Sequence, residues 1–151
     1  MNFIFISPNF PENYWNFCAA LKKNGVSVFG IGDAPYDNLD QRLKDSLTEY
    51  YRVNNMEDYD QMYRAVAHFA AKYGRIDWLE SNNEYWLIQD ARLRTDFNIT
   101  TGIKSDKIDS IKEKSEMKKY YAAGGIRTAR QVKANDSLDN ILKFAYEAGY
   151  P

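Results

Sequence analysis

Phe3-Ile4-Phe5-Ile6, closed at once by Ser7-Pro8-Asn9-Phe10-Pro11, is the stretch whose reading decides the fold. An unbroken apolar run of strand formers, with no polar alternation, predicts a strand covered on both faces, as in a parallel sheet between helical layers. Pro11 suits a first helical position, where a missing N–H costs nothing. Tyr14, Phe17, Cys18 and Leu21 then recur at helical spacing. Lys22 and Lys23 complement the end of that helix, and Gly25 stops it.

The alternation repeats outward from this unit. Val26 to Ile31 predicts a second strand, closed by Gly32-Asp33-Ala34-Pro35, and Leu39, Leu43 and Leu47 mark a short helix. Tyr50 to Val53 predicts a third strand. Asp58 with Gln61 has the pattern of a capping box. It opens a stripe of Tyr59, Met62, Tyr63, Val66, Phe69, Ala70 and Tyr73 that Gly74 ends. Ile76 to Leu79 predicts the fourth strand, and Ser81-Asn82-Asn83-Glu84 leads into a helix reaching about Asp96. Strands alternating with helices predict an α/β fold with a parallel sheet. Gly102 closes that unit, so residues 1–102 are expected as one domain. Residues 103–151 are expected as a second unit: a lysine-rich helix, a Gly124-Gly125 stop, a short strand from Arg127 to Val132, and another helix.

Bulk properties narrow the classes. The chain has 151 residues, 44% of them hydrophobic and 15% aromatic, which is globular rather than disordered. Net charge is −1, so no global field attracts nucleic acid or an anionic membrane. The alternating acids and lysines of 104–119 read as a solvated helix face, not a nucleic-acid patch. No apolar run approaches membrane-spanning length, and no basic segment precedes the first apolar residues; the expectation is a soluble cytoplasmic protein. One cysteine and one histidine leave no basis for an internal disulfide, a clustered metal site or a His-based triad. Cys18 reads as core and His68, off its helix stripe, as a solvated surface residue.

In open parallel sheets, ligands sit beyond the carboxyl ends of the strands, where strand order reverses. Two polar loops occupy such ends, Ser7-Pro8-Asn9 and Ser81-Asn82-Asn83-Glu84; in a sheet of order 3-2-1-4 they are neighbours. Ser7, Asn9, Asn82, Asn83 and Glu84 are therefore the candidate substrate-binding residues, although each alone also suits helix capping. Arg92 and Arg94 could pair with a carboxylate or phosphate, with surface salt bridging the commoner fate; Arg92 joins the substrate candidates. No glycine-rich phosphate loop follows the first strand, which weakens a dinucleotide reading. Gly30-Ile31-Gly32 and Asp33 read as turn residues.

The tail carries a resemblance. Glu113-Lys114-Ser115, Met117-Lys118-Lys119, Gly124-Gly125-Ile126, Thr128-Ala129-Arg130 and Ala148-Gly149-Tyr150-Pro151 follow one another in an order that resembles ATP-grasp enzymes of the biotin carboxylase and carbamoyl-phosphate synthase large-subunit branch. The alternating unit at 1–102 is similar to their preATP-grasp domain, a four-stranded Rossmann-like sheet of order 3-2-1-4. The resemblance implies the front portion of a longer ligase that uses ATP and Mg²⁺ to activate a small-molecule carboxylate as an acyl-phosphate, which an amine or similar nucleophile then attacks. It also implies that Lys114 contacts nucleotide phosphate. The remaining nucleotide and Mg²⁺ groups would lie beyond the position matching Pro151, so no catalytic residue, metal ligand or bound cofactor is expected on these 151 residues alone. Residues from about Ser105 are expected to be mobile or to pack on a neighbouring chain, as in a homodimer. Two alternatives stay open: a self-contained flavodoxin-like or receiver-like binding module, although Ser7-Pro8 and Arg52-Val53 stand where a receiver needs acids, and an RNA-binding module, which would need a basic face.

Overall fold

Alternate side chains of a strand point to opposite faces of its sheet, and β1 (Asn2–Ile6) uses both. Ile4 and Ile6 enter one core and Phe3 and Phe5 the other; all four are buried. The computed structural model describes residues 1–149. It shows β2 (Ser27–Gly32), β3 (Glu49–Arg52) and β4 (Trp78–Glu80) joined to β1 in one parallel sheet of order β3-β2-β1-β4. Register places Phe5 between Gly30 and Glu80, and Phe29 beside Glu49. The four-stranded α/β sheet and its order are as expected.

Helices cover both faces. α1 (Trp15–Lys23) and α2 (Gln41–Ser46) lie on the Phe3/Phe5 side, contributing Cys18 and Leu43 to its core. Burial pushes the Cys18 thiol up to about 12, so it stays an inert core group. Of the predicted α1 stripe, Tyr14, Cys18 and Leu21 pack in this core, while Phe17 is exposed. α3 (Tyr59–Tyr73) and α4 (Leu87–Asp96) cover the Ile4/Ile6 side.

α3 shows how sequence sets the element. Asp58 accepts from the backbone N–H groups of Asp60 and Gln61, occupying donors that the first turn leaves open. The Gln61 carboxamide oxygen takes the N–H groups of Asn54 and Asn55 rather than that of Asp58, so it also fixes the loop entering the helix. Met62, Ala65, Val66 and Phe69 form the buried face, each larger side chain stabilising by on the order of 2 kcal/mol. Gly74, at φ 84°, ends the helix in a conformation that side chains resist.

His68 departs from its surface expectation. Its Nε2 lies 2.6 Å from Glu49 Oε1, while Lys72 Nζ and Tyr73 O–H donate to Glu49 Oε2 at 2.5 and 2.6 Å. The hydrogen bonds from Lys72 and then Tyr73 hold the Glu49 carboxyl down to about 2. One carboxylate thus ties edge strand β3 to the last turns of α3.

The chain divides into two compact units, Met1–Ile108 and Asp109–Pro151. Residues 103–108 pack with the first: Arg94 Nη1 donates to the Ile103 carbonyl, Ser105 N–H donates to Thr95 Oγ1, and Ile108 is buried. The second unit holds α5 (Asp109–Lys112), α6 (Lys114–Ala123) and α7 (Leu138–Ala148). Residues 127–132, expected as a strand, make no strand pairing with a described residue and form loop between α6 and α7. A strand is completed by its neighbours, and none is present for this segment among the described residues. No described residue from Asp109 to Gly149 is fully buried. Tyr150 and Pro151 of the quoted tail lie outside the described residues.

Candidate functional site

The carboxyl ends of β1 and β4 lie side by side where strand order reverses, and the loops there are shaped by specific hydrogen bonds. Ser7 adopts φ 54°, donates its N–H to the Ile31 carbonyl at 2.8 Å, and accepts from Phe10 N–H at 3.2 Å. The chain therefore folds back, sending Asn9 toward the end of β2. Its carboxamide oxygen packs so close to Gly32 that a β-carbon there would lie 2.9 Å from it. Only glycine leaves that room. The same Asn9 oxygen is closed off from solvent and has no hydrogen-bond partner.

Beyond β4 the loop is held from below by α4. Ser81 is fully buried; its N–H and hydroxyl donate to Asp90 Oδ2 at 3.1 and 2.6 Å. Burial, reinforced by the nearby Glu80 charge, pushes the Asp90 carboxyl up to about 7 against the hydrogen bonds from Ser81 and the Arg94 charge. One turn on, Arg94 is also buried: Nε donates to the Leu79 carbonyl at 2.9 Å, Nη1 to the Ile103 carbonyl at 3.0 Å, and Nη2 to Glu80 Oε2 at 2.8 Å. It is an internal clamp, not the surface ion pair expected of it. Glu80 Oε1 in turn accepts the N–H groups of Ser81 and Asn82. Asn83 then caps the short helical turn at 84–86 by accepting from Tyr85 N–H at 2.9 Å.

These loops enclose a cleft of about 590 Å³ lined by Ser7, Asn9, Phe10, Asp33, Met56, Asn83, Tyr85 and Trp86. The Tyr85 hydroxyl donates to Glu57, joining the loop before α3 to the turn before α4 along one wall. Of the candidates read from sequence, Ser7, Asn9 and Asn83 come together here. Asn82, at φ 53°, lines a separate apolar hollow with Phe3, Phe5 and Phe17, and its carbonyl accepts from the Tyr14 hydroxyl at 2.6 Å. Glu84 begins the short turn and is not part of the cleft wall. Arg92 lines an adjoining hollow of about 280 Å³, its guanidinium stacked 3.6 Å from the Tyr59 ring centre. Lys114 is the exposed first residue of α6, in the second unit.

Sequence reasoning missed Asp33 and the rings of Phe10, Tyr85 and Trp86. Asp33 follows β2, so the rule that ligands gather beyond carboxyl ends could have included it. Its carboxylate has no ion-pair partner among the described residues; Arg52 Nε binds the Asp33 backbone carbonyl instead, at 3.1 Å. Among the described residues no group of three or more His, Cys, Asp or Glu side chains converges as a metal site, so the Mg²⁺ implied by the tail finds no ligand set there. No helix among them is long and apolar enough to cross a membrane.

Solved structures share this architecture. Phosphoribosylglycinamide synthetase from Anaerococcus prevotii superimposes with a TM-score of 0.68 at 16% identity, over 97% of this chain and 34% of that one. L-amino acid ligase from Bacillus licheniformis superimposes with a TM-score of 0.62 at 11% identity, over 97% of this chain and 42% of that one. Both are ATP-grasp ligases, and the likeness covers the N-terminal part of each. At these identities it is a likeness of fold, one consistent with a preATP-grasp-like sheet. The chain spans between about a third and two-fifths of the length of these structures. No family model matches the sequence, and no curated protein matches it.

Proposed function

We propose that this chain forms the substrate-side front portion of an ATP-dependent ligase of the ATP-grasp type. In that reading the parent enzyme activates a small-molecule carboxylate as an acyl-phosphate, and an amine or similar nucleophile displaces the phosphate. The cleft at the β1/β4 reversal holds one of the small-molecule substrates. Lys114 reaches the nucleotide phosphates, and the other groups that hold Mg·ATP come from outside these residues. The observation that carries the reading is a cleft with Ser7, Asn9 and Asn83 in its wall, at the place where a sheet of this order gathers ligands. Neighbours of matching fold that are ATP-grasp ligases support it.

The test is calorimetric titration of the 151-residue chain with Mg·ATP. Because it would supply only one phosphate-contacting lysine, the expected result is no tight, stoichiometric uptake. Saturable one-to-one binding with sub-micromolar affinity would show a nucleotide site complete on this chain and overturn the division of labour proposed.

A further inference from the structure

We infer that the cleft seats its small molecule through a protonated amino group, with Asp33 as the counter-charge. This rests on the reading of the cleft as a substrate site and goes on to name the ligand chemistry it selects.

Asp33 is the only charged residue in the lining, and no Lys, Arg or His accompanies it there. Its carboxylate is exposed and unpaired among the described residues. A phosphate or carboxylate placed in the cleft would meet that negative charge with no cation lining the wall to offset it. Three acceptors nearby already hold a donor: Asn83 Oδ1 that of Tyr85 N–H, the Ser7 carbonyl that of Phe10 N–H, and the Asp33 carbonyl that of Arg52. An ammonium group carries three donors and a charge, which matches an exposed carboxylate with no ion-pair partner among the described residues.

The rings point the same way. Phe10 and Tyr85 are 64% and 63% exposed, large aromatic surfaces left uncovered in the cleft wall, which Trp86 also lines. Aromatic faces attract cations and give an alkyl ammonium an apolar wall for its carbon skeleton. Tyr85 is braced by Glu57, so this wall is held in place before any ligand arrives.

Amide-resolved NMR titration of the whole chain tests the inference. The probes are L-alaninamide, L-leucinamide and L-phenylalaninamide, which carry an ammonium and no carboxylate, beside their neutral N-acetyl counterparts. The expected result is that the ammonium probes shift the amides of Ser7, Asn9, Asp33, Asn83 and Tyr85 and that the N-acetyl forms do not. Asp33→Asn is expected to weaken binding about tenfold, and Asp33→Glu to retain most of it. Asp33 is exposed, so both variants are expected to fold, and unchanged amide dispersion away from the cleft verifies that. Equal shifts from the N-acetyl probes, or undiminished binding to Asp33→Asn, would overturn the amine assignment while leaving the cleft a binding site. Silence of all five amides toward every probe would overturn the assignment and the reading of the cleft together.

Discussion

Asp90→Asn is expected to make the first unit more stable at alkaline pH and to leave it nearly unchanged in mild acid. Asp90 is fully buried on α4, beneath the loop that carries Asn83. A carboxyl raised from its ordinary 3.8 to about 7 binds a proton more tightly folded than unfolded. Between those two values the native state holds the extra proton, so the stabilising contribution is fully present below the unfolded value and is lost as pH rises through about 7. At about 1.36 kcal/mol per pH unit the ceiling is about 4 kcal/mol, large against the total stability of a domain of this size. The hydrogen bonding agrees. A protonated Asp90 can donate to Ser81 Oγ at 2.6 Å, which frees the Ser81 hydroxyl proton for the Asn83 carbonyl at 3.2 Å; the ionised form can sustain only one of these uses.

Asparagine carries no charge and keeps an oxygen for Ser81. Denaturant unfolding read by tryptophan fluorescence suits the measurement, because Trp15, Trp78 and Trp86 are all the tryptophans in the chain and all lie in the first unit. Wild type should lose stability between about pH 4 and pH 7, and Asp90→Asn should lose less, so that the variant leads by a few kcal/mol at the alkaline end. Taking the difference between the two proteins cancels the titrating groups that lie far from Asp90. Parallel curves, with a constant offset across that range, would refute the claim that burial holds a proton on Asp90.

Two further perturbations follow from the same region. Arg94→Met removes three hydrogen bonds to Leu79, Ile103 and Glu80 from a buried position and should lower stability by about 3–5 kcal/mol in the same fluorescence assay, with Arg94→Lys recovering only part; a loss below about 1 kcal/mol would show that the clamp is dispensable. Gly32→Ala places a β-carbon 2.7 Å from the Tyr50 hydroxyl and 2.9 Å from Asn9 Oδ1, so it should destabilise by about 1–3 kcal/mol, and Tyr50→Phe in the same chain should relieve part of that loss; strictly additive effects would show that the crowding is not the cause.

Much of this architecture could be read from local pattern. The unbroken run Phe3–Ile6 announced a strand buried on both faces, Asp58 announced the start of α3, and Ser7 and Asn83 stand at strand ends where ligands gather. What escaped was decided by contacts distant along the chain. His68 looked solvated because it lies off the α3 stripe, yet its partner is Glu49 on a strand nineteen residues earlier. Arg94 looked like a surface cation because α4 has a weak apolar stripe, but the Leu79 and Ile103 carbonyls and the Glu80 carboxylate close around it. Asp33 looked like a turn residue because nothing near it in sequence reveals that Asn9, Phe10, Asn83 and Trp86 assemble beside it. The segment 127–132 has only Thr128 and Val132 as strand formers and no strand pairing among the described residues.

These escapes share a physical cause that bears on the cleft. An acid at position 90 and a base at position 94 share one face of α4, one turn apart, and both are buried. Sealing ionisable groups beneath a strand end is a poor way to gain stability, since an apolar pair of similar size would avoid the desolvation. The gain is geometric. Asp90 fixes Ser81, Arg94 fixes Glu80, and Glu80 fixes the backbone of Ser81 and Asn82, so the loop beyond β4 has almost every donor assigned before it reaches Asn83. That assignment holds Asn82 at a positive φ that a free loop would seldom keep. On the opposite rim, Gly32 and the folded-back Ser7 do the same for Asn9 without any buried charge. A cleft whose two rims are set independently, one by buried polar clamps and one by a close backbone approach, presents its polar groups in fixed positions and spends little binding energy on ordering them.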